Sequence, residues 1–301
     1  MQLLYMLNRD ESLELAELQK AYKDGIWKAF ELYIYHLYLT LRVAQYAETD
    51  AVNRAAKHLP TDEDKVFEPR LSTNNCARSL ANHVEFLNLV AKYKANENLD
   101  EDHIRSLYNG FADVPDYKAY LALEAPADSD HAKIFIELYR YLSTNDLFLD
   151  MTEDRYNNWA DDESLVLGAM KKTLKSMPLS GAFYQEHEPS DQTVREFGAE
   201  LLVRTAQEDA ALLADIQPTL KNWDADRVAI LDMIMLKMAL CELLHFPTIP
   251  IKVTLNEFVE ISKNYSTDKS KEFINGILDH LMKKLTEEGR IVKEGRGLID
   301  Q

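Results

Sequence analysis

The chain has 301 residues, 46% of them hydrophobic and 28% charged, with nine glycines, nine prolines and two cysteines. That balance excludes wholesale disorder and a disulfide framework. Such scarce glycine and proline argue against an all-β architecture, whose tight turns need both. The formal net charge of −17 excludes a broad phosphate-neutralising surface and leaves room for a local RNA site or a basic protein partner.

Apolar residues three and four apart define helices through most of the chain. The opening, Met1 to Arg9, has no basic n-region and no small-residue cleavage site, so it does not read as a secretory signal. With only two cysteines, a reducing, cytoplasmic location is expected. Ile26, Phe30, Tyr33, Ile34, Leu37, Tyr38 and Leu41 predict a helix over 25–47. Lys28, Glu31 and His36 interrupt it well short of the about 20 apolar residues that a membrane span needs. The aromatics Tyr22, Trp27, Phe30, Tyr33, Tyr35, Tyr38 and Tyr46 are tempting as a base-stacking platform, but their helical spacing in an acidic segment predicts core.

A second helix is expected over 75–94, with Cys76, Leu80, Val84, Leu87 and Val90 on one side, and shorter ones over 101–111, 116–124, 129–144, 145–158 and 161–176. The acidic clusters Glu153-Asp154 and Asp161-Asp162-Glu163 lack the glycine-bearing spacing of a calcium loop and read as helix-start and loop charges. Residues 177–191, with two prolines and one glycine, are the best domain boundary. Residues 1–189 carry 20 basic and 32 acidic side chains, and residues 190–301 carry 14 and 19.

Beyond the boundary, 192–213 reads as helix, and 226–244 as a helix apolar nearly all round and so buried on several sides. Pro247 and Pro250 end it. A short helix through Leu255, Phe258 and Val259 follows, then a last one with apolar residues at 273, 274, 277, 278, 281, 282 and 285. The chain has no GxGxxG, GxxxxGK[ST], HExxH, GxSxG or CxxC motif, so neither an enzyme nor a cofactor is expected. Cys241 and His245 share a helix face without a second pair, so no metal site is expected.

Residues 223–279 carry a resemblance. Trp223-Asp224-Ala225-Asp226-Arg227 leads into Met235-Leu236-Lys237-Met238-Ala239-Leu240-Cys241-Glu242-Leu243. Ile249-Pro250-Ile251-Lys252-Val253-Thr254-Leu255-Asn256-Glu257-Phe258-Val259-Glu260-Ile261-Ser262-Lys263 and Ser270-Lys271-Glu272-Phe273-Ile274-Asn275-Gly276-Ile277-Leu278-Asp279 follow. This succession resembles the C-terminal half of the NusB family of bacterial transcription antitermination factors. Gln2-Leu3-Leu4-Tyr5 is similar to the end of that family's first helix, without the arginine-rich part that precedes it there. The resemblance implies an all-α protein, a NusB-like helical bundle with a large extra helical domain inserted after the first helix. Residues 1–9 would be the remnant of that helix, 10–189 an acidic insertion, 190–290 the NusB-like domain and 291–301 a tail.

The implied function is non-enzymatic. The protein would bind boxA RNA of ribosomal RNA transcripts together with NusE, a small-subunit ribosomal protein, within an RNA polymerase antitermination complex. Some family members are homodimers. The implied RNA-binding residues are Gln2, Tyr5, Lys269, Lys271 and Phe273, with Asp226 and Asp232 facing NusE. Each has a plainer reading: Phe273 and Tyr5 as core, the lysines and aspartates as solvated. Asp232 lies in an apolar helix and is expected to face water or a partner, because burying an unpaired charge is costly. Lys237, Asn256, Glu257, Asn275 and Gly276 are expected to be architectural, with Asn256-Glu257 near a helix start and Gly276 allowing close packing. The acidic charge keeps open a second reading, a protein-interaction scaffold of this fold with weak or lost RNA binding. An accessory domain of an RNA methyltransferase is disfavoured, since no nucleotide-binding α/β domain follows.

Overall fold

In the computed structural model, which describes residues 1–10, 12–220 and 228–298, the chain is helical and the described residues form no β-strand. In chain order the helices are α1 (Gln2–Arg9), α2 (Leu15–Ala55), α3 (Asp62–Val66), α4 (Arg70–Thr73), α5 (Asn75–Ala81), α6 (Val84–Lys92), α7 (Glu101–Ala112) and α8 (Pro115–Leu121). Then come α9 (Asp128–Leu142), α10 (Asp146–Arg155), α11 (Trp159–Lys175), α12 (Glu200–Gln207), α13 (Asp209–Ile216), α14 (Ile230–His245), α15 (Ile251–Tyr265) and α16 (Asp268–Glu287). Two compact units emerge, residues 26–189 and residues 1–25 with 190–301.

In the unit of residues 26–189, α2 is the organising element. Leu32, Ile34, Leu37, Leu39, Val43, Ala44 and Ala47 are sealed from solvent, and Phe30, Tyr33 and Tyr35 are nearly so. Every face of the middle of the helix is therefore occupied, which accounts for its apolar stretch. No helix among the described residues is long and apolar enough to cross one. Tyr38 and Tyr46 pack at the edge of this core. Two of the expected core aromatics differ: Trp27 is 37% exposed beside Phe30, and Tyr22 lies in the other unit, against Leu4 and Leu18.

Three polar side chains sealed in this core, His36, Tyr139 and Thr152, are paired with one another. The Tyr139 hydroxyl meets His36 Nδ1 at 2.9 Å, and His36 Nε2 lies 3.2 Å from the Thr152 hydroxyl. The Thr152 hydroxyl itself donates to the Phe148 carbonyl, so His36 Nε2 carries the proton and Nδ1 accepts from Tyr139. The expected helix over 75–94 is two helices, because His83 caps α6: its Nδ1 accepts from the Phe86 amide at 3.2 Å and its Nε2 donates to the Gly181 carbonyl at 2.7 Å. Apolar spacing runs through this break and conceals it.

In the unit of residues 1–25 and 190–301, α14 is central, and α1, α12, α13, α15 and α16 all pack against it. Met235, Leu236, Ala239, Leu240, Cys241 and Leu243 are fully buried, as the all-round apolar pattern predicts. Truncating one such leucine to alanine costs ~2–5 kcal/mol. The expected helix over 192–213 starts as a π-helical segment, Gln192–Ala199, and is broken at Glu208 (φ −97°, ψ 14°) between α12 and α13. Within the π-helical segment, Gly198 lies so close to the Tyr22 hydroxyl that a Cβ there would stand 1.8 Å from its oxygen. Pro247 follows the end of α14 and Pro250 caps α15. Residues expected to form a tail are instead docked: Ile291 and Lys293 are buried, and the Glu294 amide donates to the Pro247 carbonyl at 3.0 Å.

Candidate nucleic-acid interface

Three charged residues sit at intervals of five along α14, and all three are buried: Asp232 is 5% exposed, Lys237 8% and Glu242 5%. A buried charge persists only where a partner answers it, and each here has one. Lys237 Nζ reaches Asp209 Oδ1 at 2.5 Å. Glu242 accepts from the Thr254 hydroxyl at 2.7 Å. Burial holds the Glu242 carboxyl above the usual carboxylate range, opposed by that hydrogen bond and by Lys293. Lys293 donates to the Phe246 carbonyl at 3.0 Å, and burial lowers its pKa.

Asp232 corrects the expectation from sequence: it does not face water. Ser266 Oγ donates to its Oδ1 at 2.5 Å and Ser270 Oγ to its Oδ2 at 2.8 Å. Ser266 ends α15 and Ser270 lies in the first turn of α16, so one carboxylate on α14 ties down the turn that joins the other two helices. The Thr267 hydroxyl, 3.0 Å from Ser270 Oγ, donates to it and extends the cluster. Burial is costly only for an unpaired charge, and here two hydroxyl donors arrive from positions 34 and 38 residues away. The visible signal was Ser266-Thr267-Asp268-Lys269-Ser270, a cluster of capping residues before an amphipathic helix.

The helix that begins at the turn held by Asp232 carries three more of the expected site residues, Lys269, Lys271 and Phe273. Ser270 is buried with Ile274, Ile277, Leu278, Leu281 and Leu285, which form the inner face of α16. Lys271 is exposed beside it, and Phe273 is half-buried, packed against the core. Lys269 lies in α16, its side chain outside the described residues, and Asp226 lies outside them altogether. Asn275 and Gly276 are exposed, and a Cβ on Gly276 would meet nothing within 4 Å, so close packing is not the reason for that glycine. Asn256 and Glu257 are exposed in the middle of α15 rather than at its start.

The remaining expected residues lie on α1. Leu4 is its anchor, buried with Leu18, Leu202 and Ile234, while Gln2 is exposed and Tyr5 is 38% exposed. Helices α1 and α16 thus both pack on α14 and both turn polar or aromatic side chains outward. Cys241 is buried, its thiol pushed up to about 11 mainly by that burial, and His245 Nε2 is engaged by Glu208 Oε2 at 2.8 Å. Among the described residues no cluster of potential ligands is placed to hold a metal.

A family model described as NusB family matches residues 158–283. Three relatives are each named transcription antitermination protein NusB. That of Chloroherpeton thalassium is 46% identical over 79 residues, 26% of this chain and 37% of the relative. Those of Salinibacter ruber and Methylacidiphilum infernorum are 38% identical over 109 and 100 residues, covering 68% and 70% of their own lengths and 36% and 33% of this chain. The chain belongs to the NusB family. It spans little more than a third of the Chloroherpeton relative, and no solved structure matches it. The part of the chain that the NusB family model matches contains Asp232, Ser266, Ser270, Lys271 and Phe273.

Proposed function

We propose that this NusB-family protein is a transcription antitermination factor that binds boxA-type RNA of ribosomal RNA transcripts together with NusE, inside an RNA polymerase antitermination complex. It performs no covalent chemistry in this reading and works in the cytoplasm. In this reading the NusB-like domain is centred on residues 190–290 and the acidic insertion is the compact unit of residues 26–189, since residues 10–25 belong to the other unit. The observation that carries the proposal is the start of α16, where an exposed Lys271 and a half-buried Phe273 lie two residues apart. Single-stranded bases stack on aromatic rings for ~1–3 kcal/mol each, and a neighbouring ammonium attracts the phosphate between them. Gln2 and Tyr5 on α1 and Lys269 on α16 are assigned to the same RNA, and Asp226 to NusE; Asp232 is assigned to neither.

The net charge of −17 favours a second reading, in which the fold persists as a protein scaffold that binds RNA weakly or not at all. Fluorescence anisotropy of labelled boxA-type RNA, titrated with the full chain with and without NusE, separates the two. Tighter binding to boxA-type RNA than to a scrambled sequence, strengthened by NusE, is the expected result. Equal affinity for both sequences would favour the scaffold.

A further inference from the structure

Asp232 is a buried carboxylate that the proposed RNA site does not touch, yet its two acceptor oxygens are spent on the backbone turn that carries that site. Ser266 and Ser270 each have one hydroxyl proton, and each hydroxyl lies within donating distance of its own Asp232 oxygen (2.5 and 2.8 Å), with the two hydroxyl oxygens 2.8 Å from each other. A carboxylate is the side chain of this size that accepts both at once; an amide offers one acceptor and one donor group. Asp232 also lies in the first turn of α14, where the helix dipole favours a negative charge. Ser270 is 5% exposed and sits between Lys269 and Lys271, one turn ahead of Phe273. Any rotation of the first turn of α16 would break the Ser270 bond and re-aim Lys271 and Phe273.

We propose that Asp232 is a positioning residue for RNA recognition: it clamps the α15–α16 turn and so sets the direction of Lys271 and Phe273. The inference rests on the RNA-binding reading and deepens it. Its sign distinguishes it from a simple charge effect. Removing a negative charge near a phosphate site raises RNA affinity, whereas removing a clamp lowers it.

The test uses the full chain with Asp232→Ala, Ser270→Ala, the double variant and Asp232→Asn, read by anisotropy with boxA-type RNA at several salt concentrations. Asp232→Ala and Ser270→Ala each weaken binding about tenfold. The double variant is no weaker than Asp232→Ala alone, because both remove one interaction. The dependence on salt keeps the wild-type slope, since no phosphate contact is lost. Asp232→Asn, which keeps the shape and one acceptor, falls between wild type and Asp232→Ala and preserves the test should the alanine variant not fold. Affinity unchanged or raised in Asp232→Ala overturns the proposal, as does an additive double variant. So does a loss confined to NusE binding at constant RNA affinity, which would return Asp232 to the partner interface. Should the wild-type chain bind no RNA, the functional reading fails by itself. Amide hydrogen exchange then decides the clamp: faster exchange over residues 266–271 in Asp232→Ala supports it, and unchanged exchange overturns it.

Discussion

Lys237 and Asp209 meet at 2.5 Å, but they contribute unequally to the cost of their pairing: the lysine side chain is 10% exposed and the aspartate 58%. Desolvation therefore falls on the ammonium. Removing Asp209 strands a buried cation, while removing Lys237 leaves a carboxylate that water already reaches. Lys237→Met is expected to lie within ~1 kcal/mol of wild type, and Asp209→Ala to cost ~1–2 kcal/mol after allowance for screening at the exposed partner. Denaturant unfolding of the two variants checks this, and the reverse order would contradict it.

Asp64 begins α3 with a reciprocal cap. Its carboxylate accepts from the Thr61 amide at 3.0 Å and its own amide donates to the Thr61 hydroxyl at 3.2 Å. Lys57 adds two contacts at 2.8 and 3.0 Å, and the carboxyl is pulled down to about 2, first by Lys57 and then by the Thr61 amide. A depressed pKa means that the stabilisation is complete above the unfolded value of 3.8 and fades as pH falls towards 2. An NMR titration of the Asp64 carboxyl is expected to show that low midpoint, moved up towards 3.8 by Lys57→Met. An ordinary midpoint in the wild type would contradict the pairing.

His36 gives a pH dependence from the opposite kind of group. Burial holds its imidazole neutral down to about 3, whereas the unfolded chain takes up the proton near 6.5. The unfolded state therefore binds more protons between those values, and stability declines as pH falls through that window. Stability measured from pH 7 to pH 4 is expected to fall more steeply in wild type than in His36→Gln, by up to about 1.4 kcal/mol per pH unit. Parallel profiles would contradict a neutral buried His36.

Periodicity made α2 and α14 legible because both are apolar in a strict helical register, and prolines marked where α14 stops. It missed the ends of α2, which runs over residues 15–55 rather than 25–47, because the last turns are mostly polar and the short stripe of Leu15, Leu18 and Tyr22 is separated from the main one by Gly25. Breaks such as His83 and Glu208 stayed hidden because a side-chain cap or a single turned residue need not disturb the spacing of leucines. In the candidate site, Lys269, Lys271 and Phe273 are named from linked motifs in sequence and stand as proposals. The clamp on Asp232 was not legible there, since its donors are fixed by tertiary packing across more than 30 residues.

The docked C-terminal segment makes a separate prediction. A Cβ at Gly297 would stand 1.9 Å from the Pro247 carbonyl oxygen and 3.0 Å from its carbon, backbone atoms that have little room to retreat. Gly297→Ala is expected to cost ~1–3 kcal/mol and to release the Glu294 amide from that same carbonyl. Hydrogen exchange at Glu294 reads this directly, and unchanged protection would mean that the segment is not held there.

RNA affinity of Phe273→Leu and Lys271→Ala, compared with wild type by boxA anisotropy at two salt concentrations, tests the central claim most directly. Leucine keeps the apolar body against the core but has no ring face, so Phe273→Leu is expected to weaken binding about tenfold with the salt slope unchanged. Lys271→Ala is expected to lower the slope by about 0.7, the share of one phosphate contact on a single strand. Wild-type affinity in both variants would contradict the account.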